Sequence, residues 1–560
     1  MDKIKNFYKE KTQLCNVAIL LVMTLIGWLF FKGHYSNIMT DFGREMLFPQ
    51  LMNNGNVLYK DILCIYFPLG YQFVALMYTL FGTSIFTLEL CGLLVITLFV
   101  LSLYSIAANF LDNKVSLLLC LTVLIASGFN GTLFNMILPY SVGFALGISF
   151  ALLSVSLVIN YFKSEKVYLL YGAFLSCGAA FAAKGELGLL LIAILYVSLY
   201  AKPCSIRQNI VNIFCFLLFP VLSLGLLMFQ GLTVSDIFNA AEFMRIFFTT
   251  KSMLFHIAKT GGIFTLSNMP IYLSAIFNIA IFLFASYFLF SKTTDRKTQI
   301  VAIVISACLL NVTTCWRHTM FLPILLLIGG IYYRKQLSKK IIFLIISAII
   351  LNLRMFWGLI LSTYGFYTAP IAILTLIVLL QSVITENKLF PTKNTFKKFV
   401  IYLLSAYCLF FAVFDITERM KNDTEIRTEK GVLYLPKIQA NPINTAIKYI
   451  QSYTSVGQKI LVLPEGTAIN FLTDRNPDGK MPMADRLYYE AIGEEVVMKN
   501  VAEADYEMIF IAEGFGLTHF GAKYLYDDKN PVLKYIQSKY NLDWVVKDGD
   551  NIINCYVKPY

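Results

Sequence analysis

The chain has 560 residues, of which 58% are hydrophobic and only 14% charged, whereas a soluble domain carries roughly 25% charged residues. Lipid is therefore the solvent for most of it. The formal charge of +12 does not point to nucleic acid, because the basic residues sit mainly in short loops between apolar stretches, and the 11 cysteines show no C-x-x-C pair and no metal-ligand spacing, which leaves them as small packing residues.

In chain order, apolar runs predict thirteen spanning helices, near 16–31, 85–110, 115–129, 139–161, 167–183, 187–201, 209–230, 268–290, 299–314, 319–333, 341–361, 366–385 and 398–415. A helix needs about 20 apolar residues to cross ~30 Å of hydrocarbon, so the boundaries of the shorter runs are soft. The first run follows a basic N-terminus but precedes no small-residue cleavage site, and it reads as a retained span. Residues 1–415 form the predicted membrane domain, and the polar, turn-rich residues 416–560 a soluble one.

Alternate loops are enriched in Lys and Arg, which assigns them to the cytoplasm. These are the ends bearing Lys3, Lys5, Lys9 and Lys11, then Lys114, Lys163 and Lys166, Lys202 and Arg207, Lys292, Arg296 and Lys297, Arg334, Lys335, Lys339 and Lys340, and Lys388, Lys393, Lys397 and Lys398. The N-terminus is then cytoplasmic. The opposite face of the cell membrane receives two long loops, 32–84 and 231–267, and the C-terminal domain. Loops of that length are uncommon unless they have a function.

The first long loop contains Asp41-Phe42-Gly43-Arg44-Glu45, Asn54-Gly55-Asn56-Val57-Leu58-Tyr59-Lys60-Asp61, Tyr66-Phe67-Pro68-Leu69-Gly70-Tyr71 and Leu80-Phe81-Gly82. By residue chemistry alone, Asp41 is either a general base or the N-cap of a following helix, with Glu45 in its first turn. Asp61 either binds a substrate or pairs with Lys60 or Arg44. Over about fifty residues this loop resembles the first extracytoplasmic loop of GT-C superfamily glycosyltransferases, the bacterial family 39 and aminoarabinose transferase-like group in particular. That group places an acidic residue after the first span, then an amphipathic helix, a G-x-x-L-Y-x-D turn, a P-L step and an L-F-G end. The resemblance implies a multi-span helical membrane fold of about 13 spans with a small outer α/β domain. It also implies Asp41 as the catalytic residue, and Glu45, Tyr59, Asp61 and Glu186 as acceptor or cavity residues.

Further along, Lys184-Gly185-Glu186 interrupts an apolar stretch at the predicted outer boundary, where charge is expensive and marks a functional candidate. Similar family members carry a K-x-E step there, which makes Lys184 a donor-phosphate ligand; the other reading is a tight helix–helix turn with an interfacial ion pair. Trp316-Arg317-His318 occupies another outer turn. Arg317, whose fork suits phosphate oxygens, is the first choice for the donor phosphate, with His318 beside it or merely interfacial. Arg354 is either a third phosphate ligand or a residue snorkelling to headgroups. In the second long loop Glu242, Arg245, Lys251, His256 and Lys259 are candidates to line the same cavity.

The C-terminal pattern predicts a helix over 442–453, strands over 459–463 and 508–512, a helix over 531–540 and a strand over 552–557, an α/β arrangement. The stretch from Pro464 to Pro477, P-E-G…N-F-L-T-x-R-x-P, follows the first strand where a ligand loop sits, and resembles a segment of the outer domain in similar glycosyltransferases. It either shapes acceptor entry near Asp41 or is a structural turn. No Walker or G-x-G-x-x-G loop supports a soluble nucleotide-sugar site.

The expected function is transfer of a sugar from a polyprenyl-phosphate donor to a glycan, lipid or protein acceptor outside the membrane, by inversion, with no cofactor and no ligand cluster for a metal. A transporter or flippase of lipid-linked sugars is the alternative, as is an O-antigen-type polymerase or ligase. The former is expected to show internal repeats with Gly- or Pro-broken spans at mid-membrane, and the sequence shows none.

Overall fold

Thirteen predicted spans become helices, and the two long loops between them add four more. A computed structural model describes residues 2–259, 266, 269–317, 321–354, 364–384, 390–478, 480, 483–484, 486–517 and 530–559. Helix α1 (Asp2–Phe31) leads into the first long loop, which folds into α2 (Phe42–Asn53) and α3 (Leu69–Phe81). There follow α4 (Ile85–Ala107), α5 (Asn113–Val123, continued by a π-helical turn to Gly128), α6 (Val142–Ser164), α7 (Val167–Ala183), α8 (Leu190–Tyr196, entered through a 3-10 turn from Gly185) and α9 (Ile206–Phe229). The second long loop contains α10 (Val234–Thr249) and α11 (Lys251–Lys259). The remaining helices of the membrane body are α12 (Met269–Lys292), α13 (Arg296–Thr313), α14 (Leu322–Tyr332), α15 (Lys339–Leu351), α16 (Phe366–Val383) and α17 (Lys393–Lys421).

Eight helices among the described residues are long and apolar enough to cross a membrane, namely α4, α6, α9, α12, α13, α16, α17 and residues 11–31 of α1. The protein is a multi-pass membrane protein. Helix α6 is buried along most of its length at the centre of the body, whereas α9 and α12 present Phe214, Val221, Phe277 and Phe284 outward. Helices that are apolar all round belong in lipid. Their ends are set by local chemistry: Ser205 with Gln208, Thr233 with Asp236 and Asp295 with Thr298 form reciprocal capping boxes at the starts of α9, α10 and α13.

Helix α17 continues past Asp415 to Lys421 before the chain turns into the hairpin β1 (Thr424–Thr428) and β2 (Gly431–Leu435). Then come α18 (Lys437–Tyr453), β3 (Ile460–Leu463), α19 (Thr467–Thr473), α20 (Arg486–Ile492), α21 (Glu494–Glu503), β4 (Met508–Glu513), α22 (Pro531–Lys539), β5 (Asn541–Asp548) and β6 (Asn551–Val557). The sheet order is β3-β4-β6-β5, with β3 parallel to β4 and the other pairs antiparallel. Strand alternation sorts the core: Ile460, Val462, Phe510 and Cys555 face the Ile443 and Ile447 side with α18 and α19, while Leu461, Leu463, Ile509 and Ile511 face α20 to α22. The hairpin, β5 and helices α19 to α21 add to the elements expected from the sequence.

Both long loops pack on this domain. Helix α19 lies along α2, and α10 lays Phe243 and Phe247 against Tyr488 of α20. Gly43 is what permits the first contact: a Cβ there would stand 2.2 Å from the backbone nitrogen of Ala468.

Candidate active site

Asp41 occupies the position before α2 but does not cap it; its side chain makes no capping hydrogen bond. Its backbone (φ 60°, ψ −40°) is the centre of a γ-turn closed by the Phe42 N–H donating to the Thr40 carbonyl at 2.5 Å, a rare and strained geometry with φ positive. One turn on, Arg44 reaches back so that Nη2 is 2.7 Å from Asp41 Oδ1. Asp41 keeps 27% of its side chain exposed while Arg44 keeps 5%, and among the described residues no bond engages Asp41 Oδ2. The site therefore offers a carboxylate with one oxygen anchored and one open.

Arg44 is itself held on three sides. Its Nη2 donates to the Tyr140 hydroxyl at 3.0 Å, its guanidinium lies 4.5 Å from the Tyr66 ring centre, and Nε is 3.5 Å from Glu45 Oε1. Burial opposes its charge, but the Asp41 carboxylate keeps it firmly protonated. Glu45, fully buried, accepts the Val142 N–H at 3.0 Å on Oε2 and the Tyr71 hydroxyl at 3.3 Å on Oε1. Burial pushes its carboxyl up from the usual range, against the pull of Arg44. Glu45 is thus a tie between α2, α3 and the start of α6 rather than an open ligand.

A second group of charges faces the same aromatic wall. Lys184, at the end of α7, places its ammonium 4.9 Å from the Tyr66 ring and 6.0 Å from that of Tyr364. Arg354 lies 4.4 Å from the Tyr364 ring and pairs with Glu186 at 3.0 Å. Tyr66 thus sits between Arg44 and Lys184, and Tyr364 between Lys184 and Arg354. Gly185 is required between Lys184 and Glu186 because the Phe67 ring would lie 2.4 Å from a Cβ there. Lys184 is half-buried, while the Arg354–Glu186 pair keeps 38% and 41% of its side chains exposed, so this group opens to solvent. Burial lowers the Lys184 ammonium to about 8, with Glu186 opposing and Arg354 and Arg44 reinforcing the shift. Glu45, Tyr66, Tyr71, Ser141 and Lys184 border a small, partly open cavity of about 10 Å³, room for roughly one water.

The other candidates are placed elsewhere. Tyr59 supports the wall indirectly, its hydroxyl donating to the Tyr66 carbonyl at 2.6 Å. Asp61 turns onto its own loop, accepting the Val57 N–H at 2.8 Å, while Lys60 donates to the Gly231 carbonyl. Asp61 also borders a separate cleft of about 350 Å³ together with Asn54, Asn476 and Lys459. Arg317 is exposed, its guanidinium 4.7 Å from the Trp316 ring, and no contact joins it to the Asp41 cluster among the described residues. Glu242 and Arg245 pair with each other on the surface of α10, and Lys251 is exposed at the start of α11. His318 lies outside the described residues, as do the side chains of His256 and Lys259.

Tyr140 and Tyr364 escape a reading of the sequence, since a lone Tyr carries no spacing signal, whereas Glu465 lies in the 464–477 stretch that the sequence singles out. Glu465, in the turn after β3, accepts the Asp41 N–H at 2.8 Å. Arg44 was within reach, because an Arg three residues after an Asp faces it on a helix.

No protein-family model matches the chain, and no curated protein matches it. Among solved structures it is similar to the oligosaccharyltransferase AglB from Archaeoglobus fulgidus in complex with an inhibitory peptide and a dolichol-phosphate, at 11% identity and a TM-score of 0.50, covering 99% of this chain and 75% of that one. It is also similar to ArnT from Cupriavidus metallidurans bound to undecaprenyl phosphate, at 12% identity and a TM-score of 0.44, over 96% of this chain and 97% of that one. The likeness to the AglB structure is one of overall fold, here a multi-span helical membrane body followed by a small C-terminal sheet domain.

Proposed function

We propose that the protein transfers a sugar from a polyprenyl-phosphate donor to an acceptor hydroxyl or amide at the non-cytoplasmic face of the cell membrane, with the N-terminus in the cytoplasm. The observation that carries this reading is the juxtaposition of a half-open carboxylate, Asp41, with two cations, Lys184 and Arg354, across the Tyr66 and Tyr364 rings. The AglB structure was solved with a dolichol-phosphate, a ligand of the chemistry these cations suit.

In the proposed reaction the acceptor donates its proton to Asp41 while its oxygen or nitrogen attacks the anomeric carbon. The bond from that carbon to the phosphate oxygen breaks, its electron pair leaves with the polyprenyl phosphate, and configuration inverts. Arg44 fixes the Asp41 carboxylate through one oxygen and leaves the other to take the proton. Lys184 and Arg354 stabilise the charge that grows on the departing phosphate, an interaction strengthened where water is scarce. Arg317 and His318 remain proposed as outer contacts to the lipid phosphate, and the 350 Å³ cleft at Asp61 as room for acceptor.

The test is binding of undecaprenyl phosphate to the purified protein, followed by native mass spectrometry. Lys184→Ala and Arg354→Ala are expected to weaken it at least about tenfold, and Asp41→Asn to leave it unchanged. A wild type that retains no polyprenyl phosphate overturns the reading.

A further inference from the structure

The C-terminal domain touches the segment between α1 and α2 at three points in succession. The Tyr35 N–H donates to the Tyr434 carbonyl at 3.0 Å, while the Tyr434 N–H donates to that of Gly33. Asn37 Nδ2 donates to the Phe515 carbonyl at 2.6 Å, in the turn after β4. The Asp41 N–H donates to Glu465 Oε2 at 2.8 Å, in the turn after β3. Tyr434, Phe515 and Glu465 belong to three different elements of one domain, and together they fix nine consecutive residues ending at Asp41.

The last contact falls on the residue that most needs it. A γ-turn with positive φ at a residue other than glycine is costly and persists only when its surroundings impose it. Glu465 is 8% exposed, so its carboxylate is shielded from competing water. The hydrogen bond is charge-assisted, and such bonds are about twice as strong as neutral ones. The turn that presents Glu465 is made possible by Gly466, whose φ of +125° L side chains rarely adopt and where a Cβ would meet Val462 at 2.5 Å.

We propose that Glu465 is a positioning residue through which the C-terminal domain holds Asp41 in the strained turn that keeps its carboxylate facing Arg44 and the open recess. The proposal rests on the glycosyltransferase reading only for the consequence to turnover. The turn itself is a property of the fold, and it is tested without substrate.

The experiment uses the full chain in detergent. Hydrogen–deuterium exchange of the peptide covering residues 37–46 is compared in wild type, Glu465→Ala and Glu465→Gln, with α4 and α6 as internal controls. Exchange is expected to quicken by about 10- to 100-fold in Glu465→Ala, the range expected for losing a hydrogen bond to a charged group. Glu465→Gln, whose amide oxygen still accepts, is expected to retain most of the protection, and the controls are expected not to move. Unchanged exchange at Asp41 in Glu465→Ala overturns the proposal. In a transfer assay kcat is expected to fall by a similar factor in Glu465→Ala with KM for the lipid donor unchanged, and to recover in Glu465→Gln. A rise in KM alone, or no recovery in Gln, also overturns it. Loss of protection in a protein whose wild type neither binds undecaprenyl phosphate nor transfers sugar leaves the clamp standing and removes the proposed activity.

Discussion

Arg44 closes on Asp41 across a single helical turn, Nη2 to Oδ1 at 2.7 Å, and its other face lies on the Tyr66 ring that also carries Lys184. The carboxylate proposed as base and the ammonium proposed as phosphate ligand are thereby set on one rigid frame. Distances between reacting groups in such a frame depend on packing rather than on flexible side chains.

Asp41→Asn preserves volume and removes the charge. Transfer is expected to fall at least about 100-fold, with undecaprenyl phosphate binding and thermal stability near wild type. Full turnover in this variant excludes Asp41 as the base.

Arg44→Ala removes the cation paired with buried Glu45 and frees Asp41. Breaking a buried pair in this way costs about 3–5 kcal/mol, so thermal unfolding in detergent is expected to shift down by several degrees. Glu45→Gln is expected to cost less, because an amide oxygen still accepts from Val142. Equal melting temperatures for wild type and Arg44→Ala contradict the packing role.

Because burial holds Lys184 near pH 8 rather than in the usual lysine range, raising the pH removes its charge early. Below that value the ammonium is present and attracts phosphate; above it the free protein is increasingly neutral, and binding must first take up a proton. Affinity for undecaprenyl phosphate is expected to fall between pH 7 and 9, approaching roughly tenfold per unit above pH 8. Lys184→Arg, charged throughout, is expected to flatten the profile, and titration of binding in both proteins decides the matter.

Lys184→Ala is expected to weaken lipid-phosphate binding more than Arg317→Ala does. Lys184 shares its aromatic wall with Arg44, whereas Arg317 rests on Trp316 in the open. The reverse order, measured side by side, moves the phosphate to the turn around Trp316.

Gly43→Ala puts a methyl group against the Ala468 backbone. Neither chain can yield without separating α2 from α19, and overpacking of this kind costs about 1–3 kcal/mol. Limited proteolysis of the C-terminal domain is expected to quicken in this variant.

Much of this protein is legible in the sequence. Apolar runs and alternating basic loops are local in the chain and are imposed by the bilayer, so spans such as 85–110 and 366–385 emerge as α4 and α16. The short apolar runs at 459–463 and 508–512 likewise mark β3 and β4 before their pairing is known. Lys184 and Glu186 stand out because charge beside apolar stretches is costly, and Asp41 because of its place in the motifs of the first long loop. The tertiary structure alone decided that Glu45 is sealed inside, that Arg354 rather than Arg317 joins Lys184, and that Glu465 reaches Asp41 across 424 positions of sequence. Those relations arise from residues far apart in the chain meeting at one surface. No periodicity records such a meeting, because packing, not spacing, brings them together.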